Sequence, residues 1–223
     1  MLRWTAILLG TLLLTGCSVF GIRSGTEQPA YEVVAELGEA AEVRRYGPRL
    51  AAEVEVEASG EDDGRNAAFR ILAGYIFGGN RAQQEIAMTA PVEVAGESEG
   101  REIARKIEMT APVETALVET ARAEGGRLTM RFFLPASLTE ANAPTPEDPR
   151  VRILTLPGQT LAVRRFTGWR GAAEVDAEEG ALRKALDGTA WRPAGDPVAF
   201  FYDPPWTIPF LRRNEVALPV VEG

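Results

Sequence analysis

Residues 41–56 read AEVRRYGPRLAAEVEV, and residues 151–166 read VRILTLPGQTLAVRRF. Each segment contains two runs of strand-forming residues separated by a tight turn that carries glycine and proline. A stretch whose apolar residues recur at helical spacing follows each segment. Two copies of strand, turn, strand and helix predict one antiparallel, barrel-like sheet that is flanked by two α-helices and has pseudo-two-fold symmetry. The predicted fold class is therefore α+β.

The two helices are predicted from the spacing of apolar side chains. The first lies in residues 65–80, where the Gly78-Gly79-Asn80 segment is a typical helix stop. The second runs from Gly171 to Leu186. The strand that precedes the first helix alternates apolar and acidic residues from Ala52 to Glu57, which predicts one buried and one wet face. The predicted inward positions are Phe69, Leu72, Ala73, Ile76 and Phe77 in the first helix and Val175, Leu182 and Leu186 in the second.

Composition excludes several classes of function. The formal net charge is −8 and no run of Lys or Arg exceeds two residues, so we expect no nucleic-acid partner. The chain contains no histidine. Serine and cysteine nucleophiles activated by imidazole are therefore excluded, as are histidine metal sites. We expect neither catalytic residues nor a metal site formed by side chains. The enzymatic alternative would rest on the glutamates near residues 85–114, which are Glu85, Glu93, Glu108 and Glu114.

The N-terminus predicts export and lipidation. Residues 1–16 combine Arg3 with an apolar run that is too short to span a bilayer, which is typical of a signal peptide. The next residue, Cys17, is the only cysteine, and the Leu14–Cys17 segment resembles the bacterial lipobox. We expect lipid on Cys17 and a flexible tether over residues 17–30. Ser18 resembles the residue found in lipoproteins sorted to the outer membrane. The predicted location is the bacterial cell envelope, on the outer membrane facing the periplasm.

The hexapeptide MTAPVE occurs twice, at Met88–Glu93 and at Met109–Glu114. Proline removes one backbone donor and favours an extended residue before it, so each copy predicts an edge or bulged strand. Two methionines raise the idea of a bis-thioether iron site, but methionine is far more often a core filler. We expect Met88 and Met109 to be packed side chains.

Six segments together resemble the SOUL haem-binding family. They are RRYGPR, GYIFGGN, IAMTAPV, FFLP, DPRV and YDPPWTIPFLRRNEV, and the resemblance extends from Tyr31 to Val220. It implies a single domain over residues 31–223 with the family's twisted, eight-stranded antiparallel barrel and two helices. It also implies that the chain binds haem or a related tetrapyrrole.

The resemblance also implies a site. Some family members use a histidine just before the Tyr-Gly-Pro turn as an axial ligand, and the matching residue here is Arg45. Others hold the ring in an apolar groove beside the first helix, with basic residues near the propionates. Without histidine this chain follows the second route, or uses a Tyr phenolate or a Met thioether. Carried over by position, the cofactor-binding residues are Arg45, Arg70, Ile71, Gly74, Tyr75 and Phe77.

Each of these residues also has a structural interpretation. Ile71 and Phe77 would then be core residues, Arg70 part of a solvated helix face and Tyr75 a surface aromatic. If they form the site, Arg45 and Arg70 pair with propionates and Tyr75 offers its ring face. The YDPP-to-RRNEV block either caps a pocket mouth or forms a corner in which Asp203 and Asn214 satisfy backbone donors.

The predicted function is that of a membrane-tethered, monomeric haem or tetrapyrrole-binding protein, acting as carrier, buffer or scavenger. The alternative is a non-catalytic module that uses the same groove for another planar ligand or a protein.

Overall fold

The computed structural model of the chain describes residues 26–58, 61–97, 126–204 and 206–223. The predicted signal peptide, Cys17 and the second MTAPVE copy at 109–114 lie outside these residues. The predictions made for them stay predictions. None of the helices in the described ranges is long and apolar enough to cross a membrane.

Ten strands and two α-helices make up the described part of the chain. A short 3-10 helix, Pro209–Leu211, precedes the last strand. In chain order the elements are β1 (Tyr31–Glu36), β2 (Ala41–Tyr46), β3 (Arg49–Ala58), α1 (Glu61–Ile76), β4 (Val92–Glu97), β5 (Gly126–Phe133), β6 (Arg152–Leu156), β7 (Gln159–Phe166), α2 (Ala172–Ala185), β8 (Trp191–Pro193), β9 (Val198–Phe201) and β10 (Asn214–Glu222).

The sheet confirms the predicted fold class and its repeat. Its strand order is β1-β2-β7-β10-β9-β4-β5-β3-β6, with β8 paired to the end of β10, and every neighbouring pair is antiparallel. The path β2-β7-β10-β9 mirrors the path β6-β3-β5-β4, so a pseudo-two-fold axis lies between β9 and β4. The two mirrored paths contain eight strands, the number that the family resemblance implies, and β1 and β8 bring the described sheet to ten. The two halves exchange their first strands, because β2 pairs with β7 and β6 pairs with β3.

Both helices pack on one face of the sheet. The helix α1 covers β3 and β5, and α2 covers β7 and β10. The core between them contains the predicted inward residues Leu72, Ile76, Val175 and Leu182. The prediction for Phe77 is wrong, because this side chain is 65% exposed. The reason is its position: Phe77 follows the exposed Arg70 by seven residues, about two helical turns, so it lies on the outward side, and its N–H still donates to the carbonyl of Ala73 in the helical pattern.

The other face of the sheet is buried without a helix over it. Phe133, Phe200 and Ala217 share this face and are buried. Because both described helices pack on the opposite side, the sheet itself must curl around these residues. We call this face the inner face. The face of β3 that was expected to be solvent-exposed is therefore exposed only in part. Glu55 is exposed, whereas Glu53 is buried and accepts a hydrogen bond of 2.8 Å from Arg131.

The first MTAPVE copy does not form an edge strand. β4 begins at Val92, directly after Pro91, and lies between β9 and β5 in the middle of the sheet. Because proline precedes the first paired residue, its missing N–H removes no bond from the ladder. The hydroxyl of Thr89 donates to the carbonyl of Phe133. Met88 is 43% exposed, so the prediction that it is packed is wrong.

Candidate functional site

Three predicted site residues lie together on the outward face of α1. Arg70, Gly74 and Phe77 follow one another at intervals of about one helical turn, and all three are exposed. The N–H of Phe77 donates to the carbonyl of Ala73 at 2.9 Å, which continues the helical bonding pattern past Ile76. Over seven residues the row spans about 10 Å along the helix axis. We call Arg70, Gly74 and Phe77 the α1 stripe.

The α1 stripe combines a cation, a gap and an aromatic ring. Arg70 stays exposed while its Nε donates to the carbonyl of Asn66 at 3.1 Å. A Cβ placed on Gly74 would meet no atom within 4 Å, so the space above this residue is open. The ring of Phe77 is largely solvent-accessible. A flat ligand with an acidic edge finds here a ring to stack on, room for its face and a charge-assisted donor.

Tyr75 and Ile71 lie beneath the stripe and do not join it. Tyr75 is only 2% exposed, and its hydroxyl donates to the carbonyl of Pro144 at 2.9 Å. Burial raises the pKa of Tyr75, which disfavours a phenolate. Neither a surface ring nor an iron ligand matches this environment. Ile71 is half-buried and packs against the core.

Arg45 lies in the other half of the sheet. It is on β2, which pairs with β7, whereas α1 packs on β3 and β5. Its Nη1 lies 3.0 Å from Oε2 of Glu32 on β1, and both side chains are exposed. This exposed ion pair is weak and leaves the guanidinium open to exchange partners. The placement of Arg45 at the groove rim stays a prediction.

Asn80 fixes the segment that follows α1, a role that the sequence did not reveal beyond a helix stop. This fully buried side chain donates from Nδ2 to the carbonyls of Tyr75, at 3.2 Å, and Gln84, at 2.7 Å. Its Oδ1 accepts from the N–H of Gln84 at 3.1 Å. These bonds hold the turn against the end of the helix. They thereby fix the position of Phe77.

A charged cluster that the sequence did not predict lies on the inner face. Arg44 donates to both carboxylate oxygens of Glu215, at 2.8 and 3.1 Å. Tyr202 donates its hydroxyl to Oε2 of Glu215 at 2.6 Å, and Arg213 donates to Oε1 at 2.6 Å. The alternating pattern of β2 and β10 would place these residues on one face. Nothing in the sequence shows that this face is buried.

A narrow pocket opens beside this cluster. Three of its lining residues form an aromatic cage: the Arg49 guanidinium lies 4.7 Å from the ring centre of Tyr46 and 4.8 Å from that of Phe133. The pocket holds about 230 Å³ including the part open to solvent, which is below the usual range of small-molecule sites. This pocket is therefore too small for a tetrapyrrole.

The α1 stripe offers an exposed ring and one cation, which suit a planar ligand that carries a carboxylate. Within the described ranges, no group of three or more Asp, Glu, Cys or His residues is placed to hold a metal ion.

The corner predicted for the YDPP-to-RRNEV block is confirmed at Asp203, which accepts the backbone N–H of Arg213 at 2.7 Å. Asn214 instead donates to the carbonyl of Gly168, at 3.4 Å.

Solved structures share the fold at low sequence identity. The C-terminal domain of EcmrR is 9% identical with a TM-score of 0.55, covering 86% of this chain and 99% of that domain. An uncharacterized conserved protein from Listeria innocua is 14% identical with a TM-score of 0.54, over 80% of this chain and 92% of its own. A protein described as a hydrolase from Listeria innocua is 11% identical with a TM-score of 0.51, over 81% and 91%. These likenesses concern the fold alone.

No curated protein sequence matches the chain significantly. A family model does: the model described as SOUL heme-binding protein matches residues 26–219, which is most of the chain. The match includes the Tyr-Gly-Pro turn, α1 and the proline-rich block before β10. The chain belongs to the SOUL heme-binding protein family.

Proposed function

We propose that this protein binds haem or a related tetrapyrrole on the α1 stripe, without a histidine ligand, while a lipid on Cys17 tethers it to the membrane of a bacterial envelope. In this position it serves as a carrier, buffer or scavenger of the ligand. Membership of a haem-binding family supports the ligand class. The absence of histidine from the chain supports a site without imidazole ligation.

The observation that carries the proposed site is an exposed Phe77 beside the open space over Gly74. A single exposed ring needs no ligand to explain it, so the support comes from the combination of Phe77 with the open space over Gly74 and the cation of Arg70 in one row. Covering the ring with a planar ligand removes apolar area from water, at about 25 cal/mol per Å². Arg70, about one turn away from Gly74, supplies a cation for a propionate.

A bound haem would supply a redox-active iron. This chain would supply no imidazole to it, and the Tyr75 hydroxyl is committed to Pro144. Affinity on this stripe should therefore come from the ring and its carboxylates. We expect metal-free protoporphyrin IX to bind within about threefold of hemin, a free-energy difference of less than 1 kcal/mol.

The test is a titration of the full chain with hemin, followed by the Soret band, in the parent protein and in Gly74→Leu. A leucine at Gly74 meets no protein atom at its Cβ, so the fold tolerates it while the space for the ligand is filled. We expect saturation at one equivalent in the parent and at least tenfold weaker binding in Gly74→Leu. Gly180 on α2 is also an exposed helical glycine with open space around a Cβ, so Gly180→Leu is the matched control.

Three results would count against the proposal. First, hemin that fails to saturate the parent protein excludes haem as the ligand. In that case, saturation by protoporphyrin would leave a metal-free tetrapyrrole as the ligand. Second, an equal loss of hemin affinity in Gly74→Leu and Gly180→Leu would exclude the α1 stripe as the site. Third, unchanged hemin affinity in both variants would exclude it as well.

The membrane anchor is tested separately. Cells that express the full chain are labelled with radioactive palmitate, and Cys17→Ser serves as the comparison. We expect label in the parent chain and none in Cys17→Ser, followed by recovery of the parent in the outer-membrane fraction. An unlabelled parent chain contradicts lipidation, and recovery in the inner membrane contradicts the sorting inferred from Ser18.

A further inference from the structure

Three large aromatic side chains are exposed on two neighbouring loops. Trp169 lies between β7 and α2 and is 66% exposed. Trp206 and Phe210 lie between β9 and β10 and are 63% and 70% exposed. The N–H of Gly168 donates to the carbonyl of Pro209 at 2.9 Å, which joins the two loops next to Trp169 and Phe210. We call Trp169, Trp206 and Phe210 the aromatic patch.

The backbone beneath the aromatic patch is held by several bonds. The N–H of Thr207 donates to the carbonyl of Pro204 at 3.1 Å. Arg212 donates from Nε to the carbonyl of Thr207 at 2.7 Å, and its guanidinium lies 5.8 Å from the Trp169 ring centre. The loop is thus organised while its largest apolar side chains point outward. A stable arrangement of this kind is typical of an interaction surface.

The N-terminal end of the described chain is bonded to the segment that follows Phe210. Gln28 accepts a hydrogen bond from Arg213, three residues beyond Phe210, at 3.3 Å. Gln28 lies eleven positions after Cys17, and even a fully extended chain of this length spans at most about 40 Å. A lipid on Cys17 would therefore keep the patch within reach of the bilayer. This step rests on the proposed lipid anchor.

The chemistry of the patch selects the kind of surface. Tryptophan side chains are enriched at the level of lipid headgroups, where one edge of the ring is wet and the rest is apolar. The chain carries a formal charge of −8, and Arg212 beneath the patch is buried, so we do not expect attraction to anionic lipid to drive the contact. We propose that the aromatic patch docks on a zwitterionic phospholipid bilayer.

Docking would orient the proposed ligand site toward the membrane. Arg65 of α1 donates to the carbonyl of Arg170, next to Trp169, at 3.0 Å. Arg70 lies five residues further, about 7.5 Å along the helix axis. The basic end of the α1 stripe is therefore nearest to the docked patch. A tetrapyrrole dissolved in the bilayer reaches the stripe at this end.

The experiment uses tryptophan fluorescence of the full chain reconstituted in phosphatidylcholine vesicles with brominated acyl chains. Trp4→Phe is included throughout, which leaves Trp169, Trp191 and Trp206. Adding Trp191→Phe leaves the two patch tryptophans as reporters. Adding Trp169→Phe and Trp206→Phe instead leaves only the half-buried Trp191 of β8, which is the matched control. We expect brominated lipid to quench about half of the patch fluorescence and less than about a tenth of the Trp191 fluorescence.

Quenching that is absent from the patch reporters, or equal in the two variants, overturns the docking. Quenching that appears only with phosphatidylglycerol and disappears at high salt would show that charge, and not the aromatic side chains, makes the contact. That result also overturns the proposed docking. Hemin titration of the same vesicles separates the two proposals. If hemin binds but the patch tryptophans are not quenched, only the docking is refuted. If the patch tryptophans are quenched but hemin does not bind, only the proposed function is refuted.

Discussion

Arg44 and Glu215 are 171 positions apart in the sequence and form a two-pronged ion pair on the inner face, with donor–acceptor distances of 2.8 and 3.1 Å. The pair reaches across β7, which lies between β2 and β10 in the sheet. Both side chains are almost completely buried. Removing Glu215 is costly, because Arg213 then loses its carboxylate partner and the buried Arg44 keeps only Glu42, whose Oε1 lies 2.6 Å from its Nε.

The first prediction concerns the loss of the carboxylate. Glu215→Ala leaves Arg44 and Arg213 on the inner face without their shared acceptor. We expect the free energy of unfolding to fall by about 3–5 kcal/mol, with a smaller fall for Glu215→Gln, which keeps an acceptor. Urea unfolding of the parent and variants measures this. Glu222→Gln, at an exposed position of the same strand, is the control and should change little. A loss below about 1 kcal/mol in Glu215→Ala would contradict the assignment.

The second prediction concerns pH. Burial raises the pKa of Glu215, but hydrogen bonds and charge from Arg44, with Arg213 and Tyr202, outweigh it and hold the pKa below its usual value. A carboxylate with a lowered folded pKa stabilises the protein above the unfolded pKa, and this contribution is lost as pH falls through the folded pKa. We therefore expect stability to drop below about pH 4.5, and the drop to be shallower in Glu215→Gln. Urea midpoints between pH 6 and pH 3 measure it, and identical pH profiles would refute the role of Glu215.

The fold was predictable because its signals are local. Each tight turn and each helical period could be seen in residues 41–56, 151–166 and the segments that follow them. The buried charges were not predictable. Glu53 and Glu55 look alike in the alternating strand β3, but Arg131, 78 positions from Glu53, lies buried beside it. Whether a carboxylate faces water or an arginine depends on how the sheet curls, and no local pattern encodes that.

The candidate site was predictable in part, because α1 was. The family resemblance put Arg70 and Gly74 in one site, and both lie exposed on the outward face of α1. The structural interpretation of the two aromatic residues, with Phe77 in the core and Tyr75 on the surface, is wrong. Tyr75 is buried because its hydroxyl finds the carbonyl of Pro144, 69 positions away. Phe77 is exposed because its spacing from Arg70 and Gly74 puts it on the outward side of the helix, where its N–H still donates to the carbonyl of Ala73. No local pattern shows a partner 69 positions away, whereas the exposure of Phe77 follows from its spacing to Arg70.

The third prediction follows from the position of Tyr75. Tyr75→Phe removes the hydroxyl that satisfies the buried Pro144 carbonyl. We expect a loss of about 1–2 kcal/mol in stability, because an unpaired buried acceptor is costly, and no change in hemin affinity. Urea unfolding and hemin titration of the same preparation measure both quantities. Hemin affinity that falls tenfold while stability stays constant would return Tyr75 to the ligand site.

The fourth prediction concerns two glycines near the end of α1, Gly74 and Gly79. We expect their replacement by alanine to change the free energy of unfolding in opposite directions, because the space around them differs. Gly74 lies inside the helix with nothing near a Cβ, so Gly74→Ala should raise the free energy of unfolding by about 0.5–1 kcal/mol through helix propensity. A Cβ on Gly79 would lie 2.6 Å from the backbone carbonyl oxygen of Gly74, which accepts the N–H of Gly79 at 2.8 Å. We expect Gly79→Ala to lower stability by about 1–3 kcal/mol, because backbone must move and that bond must lengthen.

The measurement is urea unfolding of both variants beside Gly180→Ala, which has open space on α2 and should behave like Gly74→Ala. A destabilised Gly74→Ala would show that its surroundings are already filled. That result would also count against the open surface on which the proposed ligand site depends. If both Gly74→Ala and Gly79→Ala stabilise the protein, the backbone of the turn after α1 can shift without loss of stability. Asn80 and Gly79 would then not fix the position of Phe77.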